Sequence, residues 1–228
     1  MASAILLQAC TQVIDAIIVT TEEAAQSVAY AIALNPNGMM AQVEDAIALA
    51  DAEGICAFES DSMIHRTDAD TNDVDFDYVL DYNFNRTCNG DMPQKFSLTA
   101  VGSGFYDAPK MKADDAVTLE MSLSGLSEGA DYRWLNSTFK RQGAMKSKLF
   151  SFIDFENDLT LTLSNIKISK ATGFAETGVG NLKISSKTAG NHKYYFNGTI
   201  GFLPGRKAVI KIKDETFLVD LVSGEIIK

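Results

Sequence analysis

The chain is poor in the residues that carry most recognisable chemistry. It has two histidines, His65 and His192, three cysteines, and no Cys-x-x-Cys pair. That is too thin a ligand set for a zinc site. Two imidazoles are also too few for a Ser-His-Asp arrangement to be read from spacing, and no Gly-x-Ser-x-Gly elbow is present. Gly102-x-Gly104 and Gly178-x-Gly180 lack the flanking residues of a phosphate loop and read as turn or strand glycines. After position 10 no apolar run reaches the roughly 18 residues needed to span a bilayer. Basic residues are scarce early on: positions 1–130 hold 5 Lys/Arg against 21 Asp/Glu, whereas 131–228 hold 15 against 9. The resulting net charge of -10 repels nucleic acid, whose binding rests on cationic side chains. The two unlike parts are expected to pack together and neutralise each other.

What is present points to a β-rich fold. At 228 residues and 46% hydrophobic, the chain suits one large β domain or two small ones. Thr20-Thr21-Glu22-Glu23 has the form of a capping box. An Ala-rich run over 24–34 follows and is stopped by Asn35-Pro36-Asn37-Gly38. Met39, Met40, Val43, Ala46, Ile47 and Ala50 then make a second helical stripe, with Gly54 suited to its C-cap. The spacing therefore predicts a helical hairpin within 20–58, after a signal-like segment and tether over 1–19 and before an antiparallel β domain over 59–228.

Residues 59–73 are polar and read as a connecting loop. Val74, Phe76, Tyr78, Leu80, Tyr82 and Phe84 then alternate with residues that include Asp75, Asp77 and Asp81, which predicts a strand with one buried face. The same period recurs at 96–100, 117–123, 159–163, 182–184, 194–202, 208–212 and 217–221. A change of parity between Leu163 and Ile166 predicts a bulge near Asn165. Short spacing without intervening helices implies an antiparallel meander forming a barrel, half-barrel or sandwich. Lys207, Lys211 and Lys213 could pair with the acidic face of 74–85, which would bring first and last strands together in a closed barrel.

Leu7-Gln8-Ala9-Cys10, followed by Thr11 and Gln12, closes a short apolar run. It resembles the lipobox of a bacterial lipoprotein. The resemblance implies cleavage before Cys10, lipid on its thiol, and an address in the periplasm or at the outer-membrane surface. The run reads equally as the first buried segment of the fold. A lipidated Cys10 would leave Cys56 and Cys88 to form a disulfide, worth about 3–4 kcal/mol in the chain-entropy model. Three reduced buried thiols are the alternative.

Asp68-x-Asp70-x-Asn72 has the opening spacing of a calcium loop, although Asp73 stands where the glycine belongs and Val79 where the bidentate Glu belongs. An irregular calcium site sharing Asp73 or Asp75 is the form it would take. Asp75, Asp77 and Asp81 share a strand face, and only as a minority reading do they serve a carboxylate-based hydrolase. Three sequons, at Asn85, Asn136 and Asn197, matter only in a eukaryotic secreted protein. Aromatics from Phe105 through Phe152 and Phe155 to Phe196 could border a barrel mouth and bind an apolar ligand, or simply fill a core. The expected function is non-enzymatic: an exported, lipid-anchored envelope protein that binds a hydrophobic ligand or lipid. The alternative is a structural or adhesive surface module with a protein or glycan partner.

Overall fold

The capping-box residues start a helix as the sequence predicts. The computed structural model describes residues 18–52, 58–67, 73–127, 129–149 and 152–227. In it α1 spans Thr21–Ile32. The Glu23 N–H donates to Thr20 Oγ1 at 3.1 Å, and the Thr20 N–H donates to Glu23 Oε2 at 2.8 Å. The turn over 33–38, with Asn37 at φ +52°, reverses the chain into α2, Met39–Asp51. The C-cap of α2 is Ala52, earlier than the expected Gly54, which lies outside the described residues. The physical reason is on the neighbouring sheet, where an arginine takes the last helix carbonyls.

Eleven strands follow: β1 (Phe58–Thr67), β2 (Asp75–Asn89), β3 (Met92–Asp107), β4 (Met111–Ser124), β5 (Tyr132–Ser147), β6 (Asp154–Ser169), β7 (Ala175–Thr188), β8 (Lys193–Leu203), β9 (Lys207–Ile212), β10 (Glu215–Asp220) and β11 (Ile226–Ile227). Each pairs antiparallel with its sequence neighbours in a single sheet of order β1 to β11, which does not close. The expected pairing of the acidic strand with Lys207, Lys211 and Lys213 is therefore corrected. β9 lies between β8 and β10, and β2 lies between β1 and β3. The polar stretch read as a loop over 59–73 is corrected too, because most of it forms β1 in register with β2, Ile64 opposite Leu80.

Alternation along the strands puts one face in the core. β4 alternates buried and exposed over most of its length, with Met111, Ala113, Val117, Leu119, Met121 and Leu123 inward. The predicted bulge is present: the β6–β7 register shifts between Ser164 and Lys167, and Asn165 has φ +53°. The helical hairpin rests on this inner face, α1 against β9 and β10 and α2 against β3. Ten of the twelve α1 residues are buried, so the sheet wraps the hairpin. Among the described residues no helix is long and apolar enough to cross a membrane.

Candidate functional site

Two features of the inner face follow from ladder register. The first is a polar row. Tyr78 stands opposite Gly104, Gly104 opposite Asp115, Asp115 opposite Gly143, Gly143 opposite Asn157, and Asn157 opposite Ser186. The two glycines are needed where they stand. A Cβ on Gly104 would come within 2.6 Å of the Tyr78 ring, and one on Gly143 within 2.7 Å of the Asp115 Cβ. Bare backbone lets the neighbouring side chains lean across.

At the centre of the row Arg141 Nε lies 2.9 Å from Asp115 Oδ2, both side chains fully shielded. The Tyr78 hydroxyl donates to Asp115 Oδ1 at 2.9 Å. The guanidinium also donates to the Tyr78 hydroxyl and to the Tyr30 carbonyl of α1, and sits over the Tyr78 and Tyr106 rings. Burial pushes the Asp115 carboxyl above the usual range, with the Arg141 charge and the Tyr78 hydrogen bond pulling the other way. Burial likewise raises Tyr78 and Tyr106. Further along, Ser186 Oγ donates to Asn157 Oδ1 at 2.8 Å.

Arg141 is one of four inward arginines, out of five in the chain, that touch the hairpin. Arg66 pairs with Asp45, which also accepts from the Tyr82 hydroxyl at 2.9 Å. Arg133 pairs with Asp51. Arg86 donates to the carbonyls of Leu49, Ala50 and Ala52, each at 2.9 Å. A cation at those carbonyls also suits the negative end of the α2 dipole. The row and its arginines clamp α1 and α2, and this is a structural role.

The second feature is an apolar cleft at the ends of β4–β7. Ala113, Met145, Phe155 and Thr188 are successive ladder partners and share the inward parity. They line a cavity of about 500 Å³ together with Lys112, Asp114, Ala144, Lys146, Glu156 and Lys187. Opposite charges offset each other around it: Lys187 lies 3.4 Å from Glu156, and Lys146 stands opposite Asp154. An apolar floor under a charge-balanced rim suits an apolar ligand.

The residues singled out by sequence do not converge. Cys10, Cys56, Asp68, Asp70 and Asn72 lie outside the described residues. Cys88 is near the end of β2. Among the described residues no three His, Cys, Asp or Glu side chains come together as a metal-ligand group. Asp75, Asp77 and Asp81 take the outward face of β2, where Asp77 accepts from His65 at 2.8 Å. His192 is exposed at the β7–β8 turn. The aromatics are dispersed rather than gathered at one mouth. Tyr106, Phe139 and Phe196 are buried, Trp134, Phe152 and Tyr195 are exposed, and among the described residues Phe155 alone of the set lines the cleft. Sequence reasoning missed the inward arginines. The available signal was the pairing of Arg133 and Arg141 with the parity of Leu135 and Phe139. Comparison with known proteins adds no relative: no family model, no curated protein and no solved structure matches the chain.

Proposed function

We propose that the protein binds a small apolar ligand or lipid in the cleft at the ends of β4–β7, and that it works at an extracytoplasmic surface, held there through Cys10. The observation that carries the reading is the cleft itself, with Ala113, Met145 and Phe155 on its floor. Its volume of about 500 Å³ falls within the range of ligand pockets. The hairpin occupies the concave face, so the ligand's place is the cleft and not the centre of the sheet. The lipobox-like Leu7-Gln8-Ala9-Cys10 supplies the address.

Native mass spectrometry of gently purified protein tests the binding: a lipid-sized mass excess is expected. The delipidated protein should take up a fluorescent fatty acid saturably, and Met145→Glu should weaken that uptake at least tenfold. For the anchor, Cys10→Ala is expected to move the protein from the membrane fraction to the soluble one. A second reading, a structural or adhesive surface module, is favoured by the burial of α1, since the chain fills its own interior. Absence of both co-purifying lipid and saturable uptake would decide for it.

A further inference from the structure

Among the described residues, six of the eleven large apolar side chains left exposed gather in two patches on the outer face of the sheet. The first patch lies on β1–β3. Asp81 stands opposite Met63 on one side and Val101 on the other, with Val79 two positions before it on the same face. Met63 is 70% exposed and Val101 is 55% exposed, so neither is covered by the fold. Asp61, Asp75, Asp77 and Asp81 point outward around them, and no described outward position of β1 or β2 holds a lysine or arginine.

The second patch crosses the other end of the sheet. Val179, Gly201, Val209, Leu218 and Ile227 are successive ladder partners from β7 to β11. Val179 is 62% exposed, and a Cβ on Gly201 would meet nothing within 4 Å, so the row has an open centre. Leu203, also exposed, extends it along β8. Lys207 and Lys211 flank Val209 on its own face, and Lys183 stands further along β7. No outward position of β8 or β9 is acidic. Among the described residues no ion pair links Asp61 or Asp81 to Lys183, Lys207 or Lys211, so the two patches do not neutralise each other within one copy.

We propose that the two patches dock on each other between copies of this chain, the acidic face of β1–β3 on one copy seating against the basic face of β7–β11 on the next. Each patch offers apolar side chains to bury and a surround of the sign the other lacks. A second copy fits better than an anionic membrane. The net charge of -10 opposes approach to a negative surface, and a membrane would leave the acidic patch uncovered. Because the two surfaces differ, the contact is heterologous, and every docked pair keeps one patch of each kind free for a further copy. Such an assembly grows until it closes as a ring or continues as a filament. Each patch is only a few side chains wide, so the contact belongs to the small, weak end of interfaces and depends on salt. The inference does not rest on the cleft of β4–β7, whose lining shares no residue with either patch.

Sedimentation velocity on the full chain tests this. At low salt the protein is expected to form assemblies whose size rises with concentration, and salt at about 0.5 M should weaken them at least tenfold. Asp61→Lys/Asp81→Lys and Lys207→Glu/Lys211→Glu should each be monomeric at low salt. Mixed in equal amounts, the two variants should associate again, because each keeps the patch that the other has lost. All four side chains are exposed, so these variants keep the fold, which far-UV circular dichroism verifies. A wild-type monomer at every concentration, association that survives in both variants, or a mixture that stays monomeric would each overturn the proposal. It is also overturned if the wild type does not self-associate but binds phosphatidylserine vesicles in a manner that Lys207→Glu/Lys211→Glu abolishes, which would assign the basic patch to lipid.

Discussion

Asp115 of β4 and Arg141 of β5 form an ion pair at 2.9 Å in which neither side chain reaches solvent. They are diagonal neighbours on the inner face, since Asp115 stands opposite Gly143 and Arg141 opposite Val117. Removing one partner from such a pair strands the other charge, at a cost of about 3–5 kcal/mol. Arg141→Met and Asp115→Asn are each expected to lower stability by that amount in urea unfolding. The double variant Arg141→Met/Asp115→Leu should lose much less than the two single losses combined. Near-additive losses would mean that the two side chains act independently.

Buried tyrosines set an alkaline limit on the fold. Burial pushes Tyr30 up to about 12, the Lys110 backbone pulling it down and the Glu225 charge pushing it further up. Tyr78, Tyr82 and Tyr106 are also raised, burial being the largest cause in each. An unfolded tyrosine ionises near pH 10. These residues therefore contribute stability that is complete below about pH 10 and is lost as the pH rises through the folded values. Tyrosinate absorbance from the four should appear together with loss of the circular dichroism signal. Ionisation of all seven tyrosines near pH 10 with the fold intact would contradict this.

Arg86 closes the C-terminal end of α2 by donating to three of its carbonyls. Charge-assisted bonds of this kind contribute about 1.5–3 kcal/mol. Arg86→Ala is expected to speed amide exchange at the last turn of α2, over 48–52, and to lower stability within that range. Arg86→Lys should recover part of the loss, because a point charge still suits the helix end but cannot reproduce the fork. Unchanged exchange at 48–52 in Arg86→Ala would remove the proposed role.

The Cys56–Cys88 pairing remains a proposal, drawn from the odd cysteine count. Cys56 lies outside the described residues, and Cys88 lies near the end of β2. Peptide mapping without reductant should yield a linked peptide containing both cysteines, and reduction should cost about 3–4 kcal/mol. Alkylation of both thiols in the native, unreduced protein would exclude the bond.

The helices and most strands were legible because their pattern is pure. β2 and β4 place apolar side chains at nearly every inward position, and the capping box marks the start of α1 to the residue. β5 escaped recognition because its inward positions include Arg133, Ser137, Arg141 and Ser147 beside Leu135, Phe139 and Met145. A strand whose buried face carries two arginines does not score as amphipathic. β1 escaped for a related reason: Ser60, Ser62 and Arg66 share the parity of Ile64, and the strand lies at the sheet edge. The cleft was illegible because it depends on which strand ends lie side by side, a property of register that no single segment carries. The inward arginines that blurred the pattern are the ones that grip the hairpin.

Each strand of the meander pairs with neighbours made just before or just after it, so the sheet can zip up in the order of synthesis. The hairpin cannot follow that order. Gln26 of α1 donates to the carbonyl of Gly224, 198 positions away, and α1 packs against β9 and β10. At about 5–20 residues per second, the partner strands of α1 emerge roughly 10–40 s after the helix itself. α1 is thus made early and among the last elements to dock, and until then its apolar side is left for a chaperone or for solvent. The capping box and the turn at Asn37 bias the segment toward the hairpin through that wait. Helices of 12 and 13 residues are marginal alone, so the docked sheet supplies most of their stability.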